Sequence, residues 1–345
     1  MTPNSPVQSA IQSALDGRSL SVEEMSTVAG CLMDGQASEA LIASFLTALR
    51  AKGESVEELV GAARVMRERV TPISVATRPL LDTCGTGGDR LKTFNISTAT
   101  AIVASSCGLR VAKHGNRSVS SSSGSADVLE ALGVRIDLTA DQVASCVEQI
   151  GIGFCFAPLL HGAMKHVAPV RRQLGFRTIF NLLGPLTNPA GAEFQLIGAH
   201  DPTLAAKMAQ ALSHLGSRHA IVVCGASSLD EVSLWGETTV FEVRGDVVRS
   251  LKWNADSFEL PQCHVEALQV ESPKQSASTI ERILEGEKGP ARDIVVANTA
   301  AALVACEAMT ELPAAARKAE AAIDSGSSLE KLKSLRELSQ NMAMG

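Results

Sequence analysis

The chain has 345 residues, of which 45% are hydrophobic and 20% charged, as expected for a globular protein large enough for two domains. Its net charge of −6 argues against a general nucleic-acid binder. The eight cysteines form no CxxC pair, the N-terminus lacks a signal-peptide layout, and no uncharged apolar stretch is long enough to span a membrane. We therefore expect a soluble, cytoplasmic protein with reduced thiols, and neither a membrane nor a nucleic acid as its partner.

Residues 1–72 are predicted to form a small all-helical domain. Ser21 followed by Glu24, and Ser55 followed by Glu58, have the spacing of a capping box, which marks the start of a helix. Residues 40–49 are apolar on more than one face of a helix, so the surplus must be buried against a second domain or a second subunit. We favour a subunit interface for this segment.

Beyond residue 73, short apolar runs alternate with helical patterns, which indicates a larger α/β domain with a mainly parallel central sheet. Strands are predicted near residues 80–82, 109–113, 153–157, 194–199, 220–224 and 239–243, with a hairpin turn at 244–246. Helices are predicted near 97–106, 125–132, 140–150, 202–215, 276–285, 290–308 and 313–341, the last of them broken around Ser325 and Gly326. Residues 167–190 interrupt the pattern and are expected to return to the helical domain. The α/β domain then comprises residues 73–166 and 191–345.

A first glycine-rich loop, with the sequence GTGGD at residues 85–89, follows the first predicted strand. Glycines let backbone amides approach a ligand closely, and a helix start adds partial positive charge, so such a loop suits phosphate. Alone it could be a tight turn. Small polar residues follow it and could face a ligand at the helix start. The alternative is that Asn95 or Ser97 is simply a helix cap, and both roles can hold together.

A second loop begins at Lys113 and runs through five serines to Ser125. A solvated linker is the alternative, but the loop lies tightly between a strand and a helix, which favours a phosphate site. Lys113 would add a point charge, whereas His114 is expected to form local hydrogen bonds rather than act as a base. Two such loops suggest a ligand with phosphates at both ends.

Two further features are candidate parts of a site. Asp230 and Glu231 follow a predicted strand, where adjacent carboxylates can hold magnesium shared with phosphates. The spacing from Ser228 to Glu231 also allows a simple helix start. Arg171 could bind a substrate carboxylate through its planar fork, or be an ordinary surface charge.

Together, in this order, the motifs at residues 82–89, 93–98, 113–118, 169–172, 177–189 and 229–231 resemble the anthranilate phosphoribosyltransferases, and the likeness runs from about residue 21 to the C-terminus. The resemblance implies an α/β domain of the nucleoside-phosphorylase class II type and a homodimer joined through the helical domains. It implies transfer of the 5-phosphoribosyl group from phosphoribosyl pyrophosphate to the amino group of anthranilate, in tryptophan biosynthesis, with two Mg²⁺ ions per subunit. The alternatives are a pyrimidine nucleoside phosphorylase of the same fold and a non-enzymatic, nucleic-acid-binding relative.

The resemblance also implies three sets of site residues. Phosphoribosyl pyrophosphate would contact Gly85, Gly88, Asp89, Thr93, Asn95, Ile96, Ser97, Thr98, Lys113, His114, Gly115, Asn116, Arg117, Ser118, Val119, Ser120, Ser121 and Ser125. Anthranilate would contact Gly85, Asn116 and Arg171, with the arginine facing its carboxylate, and magnesium would be held by Ser97, Asp230 and Glu231. No single general base is assigned.

The chain departs from the family pattern at three positions. Arg90 and Ser228 stand where the family usually has glycine, and Cys224 stands where it usually has histidine.

Overall fold

The computed structural model of the chain describes residues 5–117 and 124–342. The site predictions for Ser118, Val119, Ser120 and Ser121 lie outside the described residues.

The N-terminal part consists of four helices, each opened by a serine whose hydroxyl accepts a hydrogen bond from the first turn. They are α1 (Pro6–Leu15), α2 (Val22–Met33), α3 (Glu39–Lys52) and α4 (Val56–Arg69). Both predicted capping boxes are present, at Ser21 and Ser55. Their glutamates reach back to the cap backbone and thereby fix where α2 and α4 begin.

Seven strands form one sheet: β1 (Leu81–Asp82), β2 (Val111–Gly115), β3 (Ile152–Phe156), β4 (Phe194–Gly198), β5 (His219–Cys224), β6 (Thr238–Arg244) and β7 (Val247–Trp253). Their order is β3-β2-β1-β4-β5-β6-β7. The first five strands are mutually parallel, and β6 and β7 add an antiparallel hairpin at one edge, which confirms the predicted mainly parallel sheet and the hairpin turn.

The remaining helices are α5 (Ile96–Ser106), α6 (Ser125–Ala131), α7 (Ala140–Ile150), α8 (Ala157–Leu160), α9 (Ala168–Leu174), α10 (Phe180–Leu183), α11 (Pro202–His214), α12 (Pro273–Leu284), α13 (Pro290–Ala305), α14 (Leu312–Asp324) and α15 (Ser327–Asn341). Short 3-10 helices lie at Gly162–His166, Gly184–Leu186, Ala226–Ser228, Ala255–Phe258 and Val265–Leu268. No helix among those at residues 5–117 and 124–342 is both long and apolar enough to cross a membrane.

The sheet has a separate apolar cluster on each side. One cluster packs α5 and α13 against strand residues such as Leu196, and the other packs α11 and the N-terminal helices against residues such as Val222. Because β4 and β5 are buried on both faces, their sequences are mostly apolar rather than alternating, with Gln195 and His219 as buried polar exceptions.

The segment from Gly162 to Leu186 packs against the N-terminal helices, with α9 on α3 and α10 on α4. Val170 and Phe180 are buried in the same cluster as Met25 of α2. This packing is in line with the expected return of residues 167–190 to the helical part, and the division into domains stays a prediction.

Part of the apolar surplus of α3 is covered within the chain, and the subunit interface favoured for this segment stays a prediction. Ile42, Phe45, Leu46 and Leu49 are buried within the chain, where α3 packs against α1 and α9. The segment is apolar on several faces because it has several neighbours in its own chain.

Candidate functional site

A cavity of about 620 Å³ opens at the carboxyl edge of the parallel strands, where loops from β1, β2 and β5 meet α9 and α10. In open parallel sheets this edge is the usual position of a ligand site. Both predicted glycine-rich loops, Arg171 and the Asp230-Glu231 pair line the cavity. The fold therefore brings together groups that are up to about 145 residues apart in sequence.

The first loop leads from β1 into α5. Asn95 caps α5, because its side-chain oxygen accepts a hydrogen bond from the Thr98 amide at 3.0 Å, and it also lines the cavity. The two interpretations of Asn95 therefore hold together. Gly87 and Gly88 have φ of +66° and +100°, which favour glycine, and they turn the loop back over the cavity.

Lys113 lies in β2, in line with the strand predicted near residues 109–113, and β2 continues to Gly115 through the residues predicted to begin the second loop. The side chain of Lys113 is buried. Its Nζ donates to the Thr83 carbonyl oxygen at 2.5 Å and to Ser97 Oγ at 3.1 Å. A lysine tolerates this burial because these oxygens replace water, and its charge still faces the cavity.

The two acidic residues after β5 do not start a helix, so the alternative interpretation of residues 228–231 is wrong. Ser227 and Ser228 have positive φ, and the chain then continues without regular structure to β6. The indole nitrogen of Trp235 donates to Ser227 Oγ at 3.4 Å across this loop. The turn directs both carboxylates into the cavity.

Three carboxylates meet at this end of the cavity. Asp89 and Asp230 share a side-chain hydrogen bond, and the Ser97 amide donates to Glu231. Burial, and then the charge of Asp89, raises the pKa of Asp230 to about 8, and burial with the charge of Asp230 raises the pKa of Glu231 well above its usual value. Within residues 5–117 and 124–342, none of the three forms an ion pair with a lysine, arginine or histidine.

Three clustered carboxylates that have no ion-pair partner among the described residues suit a hard divalent ion such as Mg²⁺. A second group of metal-ligand type, Asp82, Cys84 and His114, also has its donor atoms within 4.8 Å of one another. It is the poorer candidate, because burial holds the Cys84 thiol protonated by raising its pKa, and both His114 nitrogens have other partners.

The lining around Arg171 is cationic and apolar. The Arg171 guanidinium donates to Asn181 Oδ1 at 3.2 Å and lies 5.5 Å above the Phe180 ring. It has no carboxylate partner among the residues that the structure describes. Met66 and Met164 add apolar surface nearby. A flat aromatic ring that carries a carboxylate would satisfy both properties.

His114 and His161 form a neutral pair in the wall of the cavity. Their Nε2 atoms are 3.1 Å apart, and His114 Nδ1 contacts the Gly184 carbonyl oxygen at 3.0 Å. Burial lowers the pKa of His114 to about 4 and that of His161 to about 3. The expectation of local hydrogen bonding for His114 is met.

Of the described site predictions, only Thr98 does not line the cavity; its side chain is buried in α5. Arg117 lines the cavity, but its guanidinium pairs with Asp127 and Glu130. The lining residues that sequence reasoning missed include His161, Lys165, Arg177 and Asn181. Arg177 and Asn181 lie in the motif at residues 177–189, and this motif was the sequence feature from which they could have been predicted as site residues.

Two departures from the family pattern have a structural meaning. Arg90 has φ of +60° and Ser228 has φ of +66°, in the left-handed region that glycine adopts without strain. The chain therefore keeps the backbone shape for which the family uses glycine.

The fold and the site define a two-domain glycosyl transferase. Residues 8–70 match the model described as "Glycosyl transferase family, helical bundle domain", and residues 77–329 match "Glycosyl transferase family, a/b domain". Among curated proteins, the anthranilate phosphoribosyltransferase of Dehalococcoides mccartyi is 47% identical over 341 residues, which cover 98% of this chain and 100% of that protein. The chain belongs to the anthranilate phosphoribosyltransferase family.

Solved structures agree with this assignment. The crystal structure of anthranilate phosphoribosyltransferase from Thermus thermophilus has a TM-score of 0.88 and 41% identity, and it covers 96% of this chain and 99% of that one. The Saccharomyces cerevisiae enzyme in complex with PRPP and Mg has a TM-score of 0.88 at 28% identity, covering 97% and 98%. A second yeast structure contains 4-fluoroanthranilate. The nucleoside phosphorylase and nucleic-acid alternatives receive no support from these relatives.

Proposed function

We infer that this chain transfers the 5-phosphoribosyl group of phosphoribosyl pyrophosphate to the amino group of anthranilate, giving N-(5-phosphoribosyl)anthranilate and pyrophosphate, a step of tryptophan biosynthesis. One observation carries the proposal. A single cavity is lined by three clustered carboxylates, by two glycine-rich loops and by Arg171, which has no carboxylate partner among the described residues. A metal-bound phosphate ester fits the carboxylates and the loops, and an aromatic carboxylate fits Arg171.

We propose that the phosphoribosyl donor lies along the two loops. Amides of Gly85 and Gly88, the cap residue Asn95, Ser97 in the first turn of α5, and the buried charge of Lys113 would contact its phosphate oxygens. The remaining donor contacts are proposed for Asp89, Thr93, Ile96, Thr98, His114, Gly115, Asn116, Arg117, Ser118, Val119, Ser120, Ser121 and Ser125.

Ser97, Asp230 and Glu231 would hold magnesium, with two ions per subunit. The fit rests on the oxygen-only donors and on the absence of a paired cation around Asp230 and Glu231 in the part of the chain that the structure describes. When bound, the metal would neutralise charge that develops on the departing pyrophosphate.

We propose that anthranilate lies between Gly85, Asn116 and Arg171, with its carboxylate on the arginine fork. The aromatic amine is already uncharged near neutral pH, so attack on C1 of the ribose needs little help from a base. His114 stays neutral, but its ring nitrogens contact Gly184 and His161. Catalysis then rests on positioning the two substrates and on stabilising the leaving group.

The replacement His114→Ala tests the absence of a general base. We expect kcat to fall by less than about a hundredfold, since general-base catalysis contributes about that much or more. A larger loss of kcat at unchanged KM would contradict this part of the proposal.

We also propose a cytoplasmic homodimer joined through the helical part. All eight cysteines are free, and the side chain of Leu15 at the end of α1 is 68% exposed. Light scattering after size-exclusion chromatography should give a dimer for the native chain and a shift to monomer for Leu15→Glu. Val247→Glu, at an exposed position of β7, is the matched control.

The central test is a mixture of the protein with anthranilate, phosphoribosyl pyrophosphate and Mg²⁺, followed by the loss of anthranilate fluorescence. We expect a magnesium-dependent decay that Asp230→Ala/Glu231→Ala abolishes. Asp246→Ala/Asp256→Ala, at two exposed positions, should keep it. No decay with retained donor binding would move the acceptor to another amine, and no binding would overturn the proposal.

A further inference from the structure

Arg177 connects two parts of the molecule that meet at the cavity. It lies between α9 and α10, in the segment that packs on the N-terminal helices, yet its side chain reaches the first glycine-rich loop. Its Nη2 donates to the Thr86 carbonyl oxygen at 2.7 Å. The other terminal nitrogen packs directly on Gly88, where a Cβ would overlap with it.

The charge of Arg177 is not used in an ion pair. Among the residues that the structure describes, no carboxylate oxygen lies within 4.0 Å of its guanidinium. Its favourable electrostatic interaction is with Asp230, one of the three clustered carboxylates. Arg177 therefore contacts the loop through hydrogen bonding and packing, and acts on the acidic cluster through its charge.

We propose that Arg177 is a positioning residue that holds residues 86–89 of the first loop against the carboxylate cluster, in the geometry that binds the pyrophosphate end of the donor. The proposal rests on the proposed function, because it takes phosphoribosyl pyrophosphate as the ligand of this loop. The planar fork allows one nitrogen of the side chain to bond the Thr86 carbonyl while the rest packs on Gly88, which a lysine ammonium does not do.

The role of Arg177 differs from that of Arg171, six residues earlier. Arg171 contacts Asn181 and Phe180 at the acceptor end, whereas Arg177 contacts the loop at the donor end. Removal of Arg177 should therefore affect the donor and leave the acceptor largely unaffected. A general loss of structure would weaken both.

The test compares Arg177→Gln and Arg177→Lys with Arg172→Gln, which removes a charge from an exposed position of α9. We expect Arg177→Gln to raise KM for phosphoribosyl pyrophosphate about tenfold or more, as for a lost hydrogen bond from a charged group. The magnesium concentration for half-saturation should rise with it. KM for anthranilate should stay within about twofold of the native value, because Arg171 and not Arg177 faces the acceptor; a tenfold change would correspond to about 1.4 kcal/mol.

Arg177→Lys should recover part of the loss, because it keeps the charge and can still donate to Thr86. Circular dichroism verifies folding, and if Arg177→Gln does not fold, Arg177→Lys alone decides. An unchanged donor KM in the folded variant would overturn the inference, and so would an equal rise in both KM values. A native chain that neither turns over nor binds the donor would instead refute the proposed function.

Discussion

Replacement of Gly198 by alanine should disable the metal end of the site without a change to any side chain that lines it. Gly198 is the last residue of β4, and the main chain of Asp230 passes directly against it. A Cβ on residue 198 would lie 1.5 Å from the Asp230 carbonyl oxygen and 2.4 Å from its carbonyl carbon. Both obstructing atoms belong to the backbone, so no rotamer change relieves the overlap.

The size of the displacement follows from these distances. Since Cβ atoms essentially never approach another heavy atom closer than 3.0 Å, the backbones of residues 198 and 230 must separate by about 1.5 Å. A misplacement of about 1 Å at a catalytic group costs about a hundredfold in rate. We therefore expect kcat/KM to fall by at least about a hundredfold. Overpacking costs about 1–3 kcal/mol in stability, which leaves most proteins of this size folded.

Initial rates from anthranilate fluorescence, measured across a magnesium titration, would test this expectation. Gly30→Ala is the matched control, because its new Cβ meets nothing nearer than Arg69 Nη2 at 3.5 Å and Gly30 does not line the cavity. The control should keep the native rate. A folded Gly198→Ala protein with kcat/KM within about threefold of native would refute the reasoning.

Three further predictions concern pH, a buried ion pair and a strained turn. Burial and the charge of Asp89 raise the pKa of Asp230 to about 8 without metal, so Mg²⁺ must displace a proton when it binds below that pH. Calorimetry should therefore show that the affinity for Mg²⁺ rises by up to about tenfold per pH unit between pH 6 and 8. An affinity that does not change with pH would contradict this expectation. In the native chain the buried Lys52 ammonium lies 2.9 Å from the Glu58 carboxylate. Glu58→Gln leaves that ammonium without an ion-pair partner and should lower the free energy of unfolding in urea by about 3–5 kcal/mol. Ser228→Gly should stabilise it by about 1 kcal/mol by removing left-handed strain at φ +66°, and a loss of stability would argue against that strain.

The elements of the site that were predicted correctly are those with a local signal. A glycine-rich sequence after an apolar run predicts a loop at a strand end, and parallel strands bring such loops to one edge whatever their separation in sequence. The capping spacing at Ser21 and Ser55 is also local, and both helices begin there. The same spacing at Ser228 failed as a helix start, since the packing of Asp230 against Gly198 imposes another backbone path.

The remaining features depend on neighbours that are distant in sequence. The strand predicted near residues 109–113 includes Lys113, but the burial of its side chain could not be predicted, because its partners Thr83 and Ser97 belong to another segment. Arg177 resembles a surface charge until its hydrogen bond to Thr86 is seen. The apolar faces of α3 indicate burial, but no periodicity identifies which neighbour supplies it.

The loop that carries the acidic pair also contains an optical reporter. The chain has two tryptophans and no tyrosine, so its ultraviolet emission comes from Trp235 and Trp253 alone. Trp253 is packed edge-on against Phe258 at the end of β7, whereas Trp235 is hydrogen-bonded to Ser227, four residues before Glu231. Any ion that rearranges this loop changes the surroundings of one indole and not the other. In a Trp253→Phe variant, metal binding can therefore be followed by intrinsic fluorescence, without substrate and without a label.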